Sequence, residues 1–187
     1  MNASNQIFGS KENGMLDPLR YDGHVDAPQE VARMLAELVP MGSRVLDVGC
    51  GKAFLLYDFT QAVPGIEVHG LDISSYGIEN AKEEVRPFLK VGSASRLPFE
   101  DKSFDLVISI NTLHNLYCYD LESALKEIQR VGKRNRYLCV ESYRNEEEKV
   151  NLLYWQLTCE SFYTPEEWAW WYKLCGYTGD YSFIFFE

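Results

Sequence analysis

One stretch, residues 44–51, constrains the fold of this chain more than any other. It has the sequence Arg-Val-Leu-Asp-Val-Gly-Cys-Gly, and residues 52–62 continue with a helical pattern. An apolar run of this length that ends in glycine predicts a buried parallel strand followed by a tight turn. Gly49 and Gly51 lack a Cβ, so the backbone there can closely approach a ligand. The free N–H groups at the start of the next helix point to the same place.

Two details narrow the kind of ligand that this turn suits. The dinucleotide-binding fingerprint has a third glycine at a position where this chain has Phe54. Asp47 places an acid at the turn, and an acid favours a cationic or amine-bearing ligand over a pyrophosphate. A glycine after a strand often only ends the strand and begins a turn, so the turn alone does not establish a binding site.

The overall composition excludes several classes of protein. The chain has 187 residues, 46% of them hydrophobic, which fits one globular domain with a substantial core. The net charge of −10 argues against a nucleic-acid partner, because affinity for phosphate backbones comes largely from clustered lysine and arginine. Five cysteines without Cys-x-x-Cys spacing and three well-separated histidines predict neither a disulfide framework nor a metal site. Without an apolar leader or a membrane-spanning run, the expected location is cytoplasmic, with no membrane partner.

Strand-like and helix-like patterns alternate along most of the chain. After the first strand, strands are expected at 66–71, 88–91, 104–110, 136–141 and 181–186. This alternation predicts an α/β fold, a Rossmann-like doubly wound, mostly parallel sheet with helices on both faces. A helix near residue 120 should turn Leu121, Leu125 and Ile128 inward, and another should carry the apolar residues Val150, Leu153, Tyr154 and Leu157.

The positions that follow each strand are the candidate ligand contacts, because ligands bind beyond the carboxyl ends of strands in parallel sheets. Asp72 ends the second expected strand, 21 residues after Gly51. A carboxylate there can accept two hydrogen bonds from ribose hydroxyls, although it can also simply cap a helix. The other positions are 49–51, 92–94, 111–114 and 141–143.

Three blocks together resemble the class I S-adenosylmethionine (SAM)-dependent methyltransferases. They are the Asp-x-Gly-x-Gly pattern at 47–51, the acid at Asp72, and residues 97–116 with Leu-Pro-Phe, Ser-Phe-Asp and Asn111-x-Leu113-His114. The likeness is to the small-molecule branch of the Methyltransf_11 type. It covers about residues 31–142 well and the remainder loosely, and each block alone would be weak.

The resemblance implies a set of cofactor-binding residues. Asp47, Gly49 and Gly51, with Cys50 between the glycines, would bind at the methionine end of SAM, and Asp72 would hold the ribose. The others are Ile73 on the adenine, Ser93 and Ala94 at the adenine edge, and Asn111 and Leu113 beneath the sulfonium and methionine. Two positions depart from the family pattern: Ala53 stands where a third glycine is common, and Ser93 where an acid often contacts the adenine amino group.

The resemblance also implies in-line methyl transfer from the sulfonium to a small-molecule acceptor with an oxygen, nitrogen or carbon nucleophile, leaving S-adenosylhomocysteine. Positioning supplies much of the rate, and a general base can assist. The first candidate base is His114, which could instead cap a helix or pack under the cofactor. His24 and Tyr21 come next, and Glu141 and Tyr143 form a third group.

The expected organisation is an N-terminal helical lid at 1–27, partly flexible, and a SAM-binding methyltransferase domain at 28–187, as a monomer or homodimer. Pro28 is expected to open a helix that ends at Pro40. The family commonly ends with two further strands, one of them antiparallel. Only 11 residues follow Gly176 here, so one strand should be short or missing. The alternative function is a SAM- or S-adenosylhomocysteine-binding sensor or assembly protein that no longer catalyses.

Overall fold

The computed structural model describes residues 39–186, which contain a single six-stranded sheet. The strand order is β3-β2-β1-β4-β5-β6, and every neighbouring pair is parallel. The sheet therefore confirms the predicted doubly wound topology, with the order reversing between β1 and β4. The strands are β1 Arg44–Val48, β2 Glu67–Asp72, β3 Leu89–Val91, β4 Phe104–Ile110, β5 Gly132–Glu141 and β6 Asp180–Ile184.

Five α-helices connect these strands. They are α1 Phe54–Ala62, α2 Ser75–Glu79, α3 Cys118–Val131, α4 Glu146–Trp155 and α5 Pro165–Leu174, with short 3₁₀ turns at Arg86–Phe88 and Leu113–Asn115. Side chains cap the starts of α2 and α5. Ser74 accepts a hydrogen bond from Gly77 N–H at the start of α2. Thr164 and Glu167 form a capping box around Pro165 in α5, which fixes where that helix begins.

Apolar side chains pack on both faces of the sheet. Helices α3 and α5 cover one face, where Leu125 and Trp168 are fully buried. Helix α1 covers part of the other face, where Phe59 is fully buried and Cys139 nearly so. All five cysteines are free thiols. The two packed faces hold the carboxyl ends of the strands together along one edge of the sheet.

The structure differs from the sequence-based prediction at the ends of several elements. Helix α2 ends at Glu79, although Ile78, Ala81 and Val85 follow helical spacing in the sequence; Val85 is buried in a turn that follows the helix. Strand β5 begins at Gly132 instead of residue 136, with a register shift against β4. Residues 39–186 contain one strand after Gly176, and it pairs in parallel with β5; the described part of the chain has no antiparallel strand.

The sequence did not indicate which side of α4 is buried. The helix forms over Glu146–Trp155 with Val150, Leu153 and Tyr154 on its solvent side and Leu152 fully buried. Leu157, which the prediction placed on the same helix, lies beyond its end and is exposed. Helical spacing identifies which residues share a face, but the contacts at the ends of the helix decide where that face points.

The N-terminal predictions lie outside the described residues. This applies to the lid at 1–27, to the helix expected from Pro28, and to the candidate bases Tyr21 and His24. Within residues 39–186, no helix is both long and apolar enough to cross a membrane.

Candidate active site at the carboxyl edge of the sheet

The glycine turn after β1 is held against its neighbours on two sides. Gly49 and Cys50 donate backbone hydrogen bonds to Leu71 O at 2.7 and 3.2 Å, which ties the turn to the end of β2. Gly49 has a φ of 86°, and a Cβ at this position would overlap the side chain of Thr112. Gly51 has a φ of 52°, and a Cβ there would meet no atom within 4 Å. Glycine is thus required at 49 for packing, whereas Gly51 borders open space.

The carboxylate of Asp72 joins the turn after β1 to the loop after β2. One of its oxygens accepts a hydrogen bond from Gly51 N–H at 2.7 Å, and the other accepts one from Ser74 N–H at 2.8 Å. A carboxylate has about four acceptor positions, so two remain for a ligand. The next residue, Ile73, leaves 79% of its surface exposed, which is unusual for isoleucine and suits contact with a flat apolar ligand.

Asp47 is the buried acid beneath this turn. Its side chain is almost fully enclosed, and burial together with the nearby negative charge of Asp72 raises its pKa to about 7. A positively charged ligand group placed nearby would favour its ionised form. Cys50 is also enclosed, and burial raises the pKa of its thiol, so it is not a reactive nucleophile here.

The remaining predicted cofactor contacts lie after β3 and β4. The Ser93 hydroxyl bonds the Ser95 hydroxyl at 2.8 Å, and Ala94 is almost buried. Asn111 is exposed, with a φ of 53°, and its N–H donates to Cys139 O. The Leu113 side chain is fully buried in the core, so a ligand contact at this residue would have to use backbone atoms. The structure thus brings these residues to one edge of the sheet.

His114 is fully buried beside Glu141. Its Nδ1 accepts a hydrogen bond from Glu141 N–H at 3.4 Å, and its Nε2 lies 3.5 Å from Glu141 Oε2. Burial lowers the pKa of His114 to about 4 and raises the pKa of Glu141. The imidazole is therefore neutral at neutral pH. Because the ring has no exposed surface in this structure, a role as general base stays a prediction.

The buried pair also connects three segments around the site. Gln156, at the end of α4, donates to Glu141 Oε1 at 2.6 Å. The amides of Glu160 and Ser161 donate to His114 O at 3.0 and 2.9 Å. The pair therefore holds the loop after β4, the end of α4 and the segment before α5 in fixed relation.

Sequence reasoning missed two residues that shape this edge. Thr112 packs against Gly49, and its hydroxyl donates to Gly49 O at 3.2 Å. Its position beside the Asn-x-Leu-His block was a usable signal. Gln156 carried no such signal, because its partner Glu141 is 15 residues away across a loop. Among residues 39–186, no group of three or more His, Cys, Asp or Glu side chains is placed to hold a metal ion.

The sequence of this chain is similar to those of several known proteins. A family described as a methyltransferase domain matches residues 41–176. A demethylmenaquinone methyltransferase of Bacillus cytotoxicus is 38% identical over 143 residues, which cover 72% of this chain and 59% of that protein. The mouse mitochondrial arginine-hydroxylase NDUFAF5 is 30% identical over 122 residues, which cover 63% of this chain and 34% of that protein.

A solved structure shares the fold. A Haloferax volcanii chain in complex with the Trm112 methyltransferase activator aligns with a TM-score of 0.65 and 27% identity, covering 79% of this chain and 66% of that one. The chain spans about half the length of the curated relatives it matches. The likeness therefore establishes the shared domain and not the activity of a whole protein.

Proposed function

The chain belongs to the class I SAM-dependent methyltransferase family, and from that premise we propose that it transfers a methyl group from SAM to a small-molecule acceptor. The observation that carries this proposal is the Asp72 carboxylate, which joins two loops and keeps two acceptor positions beside the exposed Ile73. The demethylmenaquinone methyltransferase relatives support a small-molecule acceptor. A cytoplasmic location and a monomeric or homodimeric state remain predictions.

In this proposal the residues at the carboxyl edge of the sheet each contact a different part of the cofactor. Asp72 would hold the ribose and Ile73 would pack against the adenine, with Ser93 and Ala94 at its edge. Asp47 and the 49–51 turn would hold the methionine end, next to Asn111 and Leu113. The ammonium of that end would offset the cost of ionising the buried Asp47.

When bound, the sulfonium supplies an activated methyl group, so the protein's task is mainly to position and enclose the reactants. We infer that His114 contributes by positioning. Its neutral ring and Glu141 fix the loop after β4 relative to α4, so the acceptor would meet a defined surface. The elements beside the carboxyl edge of the sheet would exclude water from the reactants.

The proposal is tested first by calorimetric titration of the protein with S-adenosylhomocysteine, with NAD as the comparison. We expect micromolar binding of the first and none of the second, because Phe54 stands where the dinucleotide fingerprint has glycine. Binding of NAD in preference, or of neither compound, would contradict the cofactor assignment.

Asp72→Ala should weaken S-adenosylhomocysteine binding by more than about tenfold, because a bidentate, charge-assisted contact is lost. Asp101→Ala is the matched control: this carboxylate lies on an exposed loop and pairs with Arg130. Calorimetry of both variants decides the assignment. An unchanged affinity in the Asp72 variant would remove the ribose role from this residue.

The two glycines of the turn should respond differently to alanine. Gly49→Ala should destabilise the fold by several kcal/mol and abolish binding, because the new methyl overlaps Thr112 and φ is positive. Gly51→Ala should cost only about 1 kcal/mol of backbone strain, because its Cβ would meet nothing in the structure. Thermal unfolding with and without S-adenosylhomocysteine measures both. Equal losses would show that Thr112 does not set the shape of the turn.

A second candidate function is a non-catalytic sensor of SAM or S-adenosylhomocysteine. The burial of His114 favours it, because the first candidate base has no exposed surface. Turnover separates the two functions. Formation of S-adenosylhomocysteine with any acceptor in a screen that begins with hydroxylated quinones would eliminate the sensor, whereas tight binding without turnover would support it.

A further inference from the structure

Helix α5 and the residue two positions before it form a groove that is open to solvent. This α5 groove is lined by Tyr163, Glu166, Glu167, Trp170 and Trp171 and has a volume of about 380 Å³. Three of its residues are aromatic and the other two are acids. A groove that combines aromatic rings with carboxylates offers a cation two kinds of favourable contact.

The aromatic rings form walls that meet at an angle. The rings of Trp170 and Trp171 lie 5.3 Å apart with an interplanar angle of 76°, and those of Tyr163 and Trp171 lie 6.0 Å apart at 37°. Tyr163 also contacts the buried Trp168 edge-on at 5.3 Å, and its carbonyl oxygen accepts a hydrogen bond from the Ser142 hydroxyl at 2.9 Å. The core therefore fixes one side of the groove, while 56% of the surface of Trp170 stays exposed.

The two carboxylates stand one helical turn before the two indoles. Glu166 precedes Trp170 by four residues, and Glu167 precedes Trp171 by four, so each acid shares a helix face with one ring. The Glu167 Oε2 accepts a hydrogen bond from Thr164 N–H at 2.8 Å, and Oε1 remains as an acceptor. Within residues 39–186, no lysine, arginine or histidine side chain pairs with either glutamate. The groove is therefore complementary to a positive charge.

We propose that the α5 groove binds an arginine side chain presented by a partner protein. A guanidinium group is planar, stacks on an indole face and donates two parallel hydrogen bonds to a carboxylate. The groove supplies both kinds of group. A lysine ammonium is compact, is more strongly hydrated and has no flat face for stacking. A quaternary ammonium has no N–H group to donate to the glutamates. This inference does not depend on methyl transfer.

The open shape of the groove favours a protein as the source of the guanidinium. Sites for small molecules bury about 70–90% of the ligand's surface. Trp170 and both glutamates are exposed, so a free small molecule would keep much of its surface in water. An arginine that projects from a partner brings further surface that can cover Trp170. Tryptophan and arginine are also enriched at protein interfaces.

NMR titration of the full-length protein with an arginine peptide tests the proposal. The probe is N-acetyl-Gly-Ser-Arg-Ser-Gly-amide, compared with the same peptide carrying lysine or citrulline at the centre. The indole N–H signals of Trp170 and Trp171 should shift with saturable, millimolar affinity, while that of Trp155 on α4 stays in place. The lysine peptide should bind about threefold more weakly, and the citrulline peptide, which lacks the charge, about tenfold more weakly.

Two variants with matched controls assign the binding to the groove. Glu166→Gln removes a charge and Trp170→Leu removes an indole face, and each should weaken binding of the arginine peptide by about threefold. Glu147→Gln, at the same second position of helix α4, and Trp155→Leu, another exposed tryptophan, should leave the affinity unchanged. The Trp171 signal reports binding in all four variants, and thermal unfolding shows that each is folded.

Several other results would overturn the proposal. They are no binding of the arginine peptide, equal binding of the arginine and citrulline peptides, and equal losses in the groove variants and their controls. Tighter binding of tetramethylammonium than of the arginine peptide would assign the groove to a quaternary ammonium instead. A native dimer by light scattering that dissociates in the Trp170→Leu variant would assign it to a second copy of this chain.

Discussion

Helices α3 and α4 make an instructive comparison. Both carry apolar residues at helical spacing, yet Leu121, Leu125 and Ile128 of α3 are fully buried, while the stripe of α4 faces solvent. The two helices differ in what lies beneath them. Helix α3 lies along the apolar face of the sheet, whereas α4 is anchored beside the polar strand ends. The same periodicity therefore has opposite consequences in the two places.

Truncation of one leucine in each helix gives the largest expected contrast. Leu125→Ala should lower the free energy of unfolding by about 3 kcal/mol, because it leaves a cavity in a fully packed core. Leu153→Ala should cost less than about 1 kcal/mol. Leu152→Ala, on the buried side of α4, should resemble the α3 variant. Urea unfolding measures all three, and equal costs for Leu125 and Leu153 would show that the two stripes are equally buried in solution.

Acid should act on the α4 side of the molecule through His114. Its pKa is about 4 in the folded protein and 6.5 ordinarily. The folded state therefore keeps its full stability above pH 6.5 and loses stability as the pH falls toward 4. At pH 5 the unfavourable protonation of buried His114 should lower the free energy of unfolding by about 2 kcal/mol relative to pH 7.5. Glu141 acts in the opposite sense, because its raised pKa costs stability as pH rises.

The variant His114→Gln isolates this contribution, because glutamine does not titrate. Urea unfolding at pH 7.5 and pH 5.0 should show a smaller acid loss in the variant than in the native chain. The same pH dependence in both proteins would mean that the imidazole takes up its proton as readily in the folded state as in the unfolded one.

The polar anchor of α4 should show a smaller effect. Gln156→Ala removes the hydrogen bond to Glu141 and leaves a buried carboxylate oxygen without that donor, at a cost of about 1–2 kcal/mol. Amide exchange in α4 should accelerate while α3 stays protected. Gln61→Ala, at an exposed position on α1, serves as the control. Unchanged exchange in α4 would show that Leu152 alone is sufficient to hold the helix.

Local pattern was sufficient for much of the fold. The strand at β1, the apolar strand at β4 and the capping box of α5 each follow from neighbouring residues, because propensity and burial there agree. The glycine turn was predictable for the same reason. Its positive φ values depend on glycines that the sequence displays, whereas its hydrogen bond to Asp72 joins residues 21 positions apart.

Long-range contacts set the limit of that prediction. The direction of α4 depends on Gln156 meeting Glu141, and the burial of His114 depends on the same carboxylate. The periodicity of the sequence does not indicate such contacts between distant residues. The parallel pairing of β6 with β5 was likewise not readable from its composition, because either direction would bury the same apolar residues.

The two hydrogen bonds of the Asp72 carboxylate also have a kinetic consequence. They join the turn after β1 to the loop after β2 before any ligand arrives. A ligand entering there would meet groups that are already oriented, so little chain entropy would be lost on binding. Association should then proceed in one step without a slow rearrangement, and ligands that fit this edge differently should differ mainly in how long they stay.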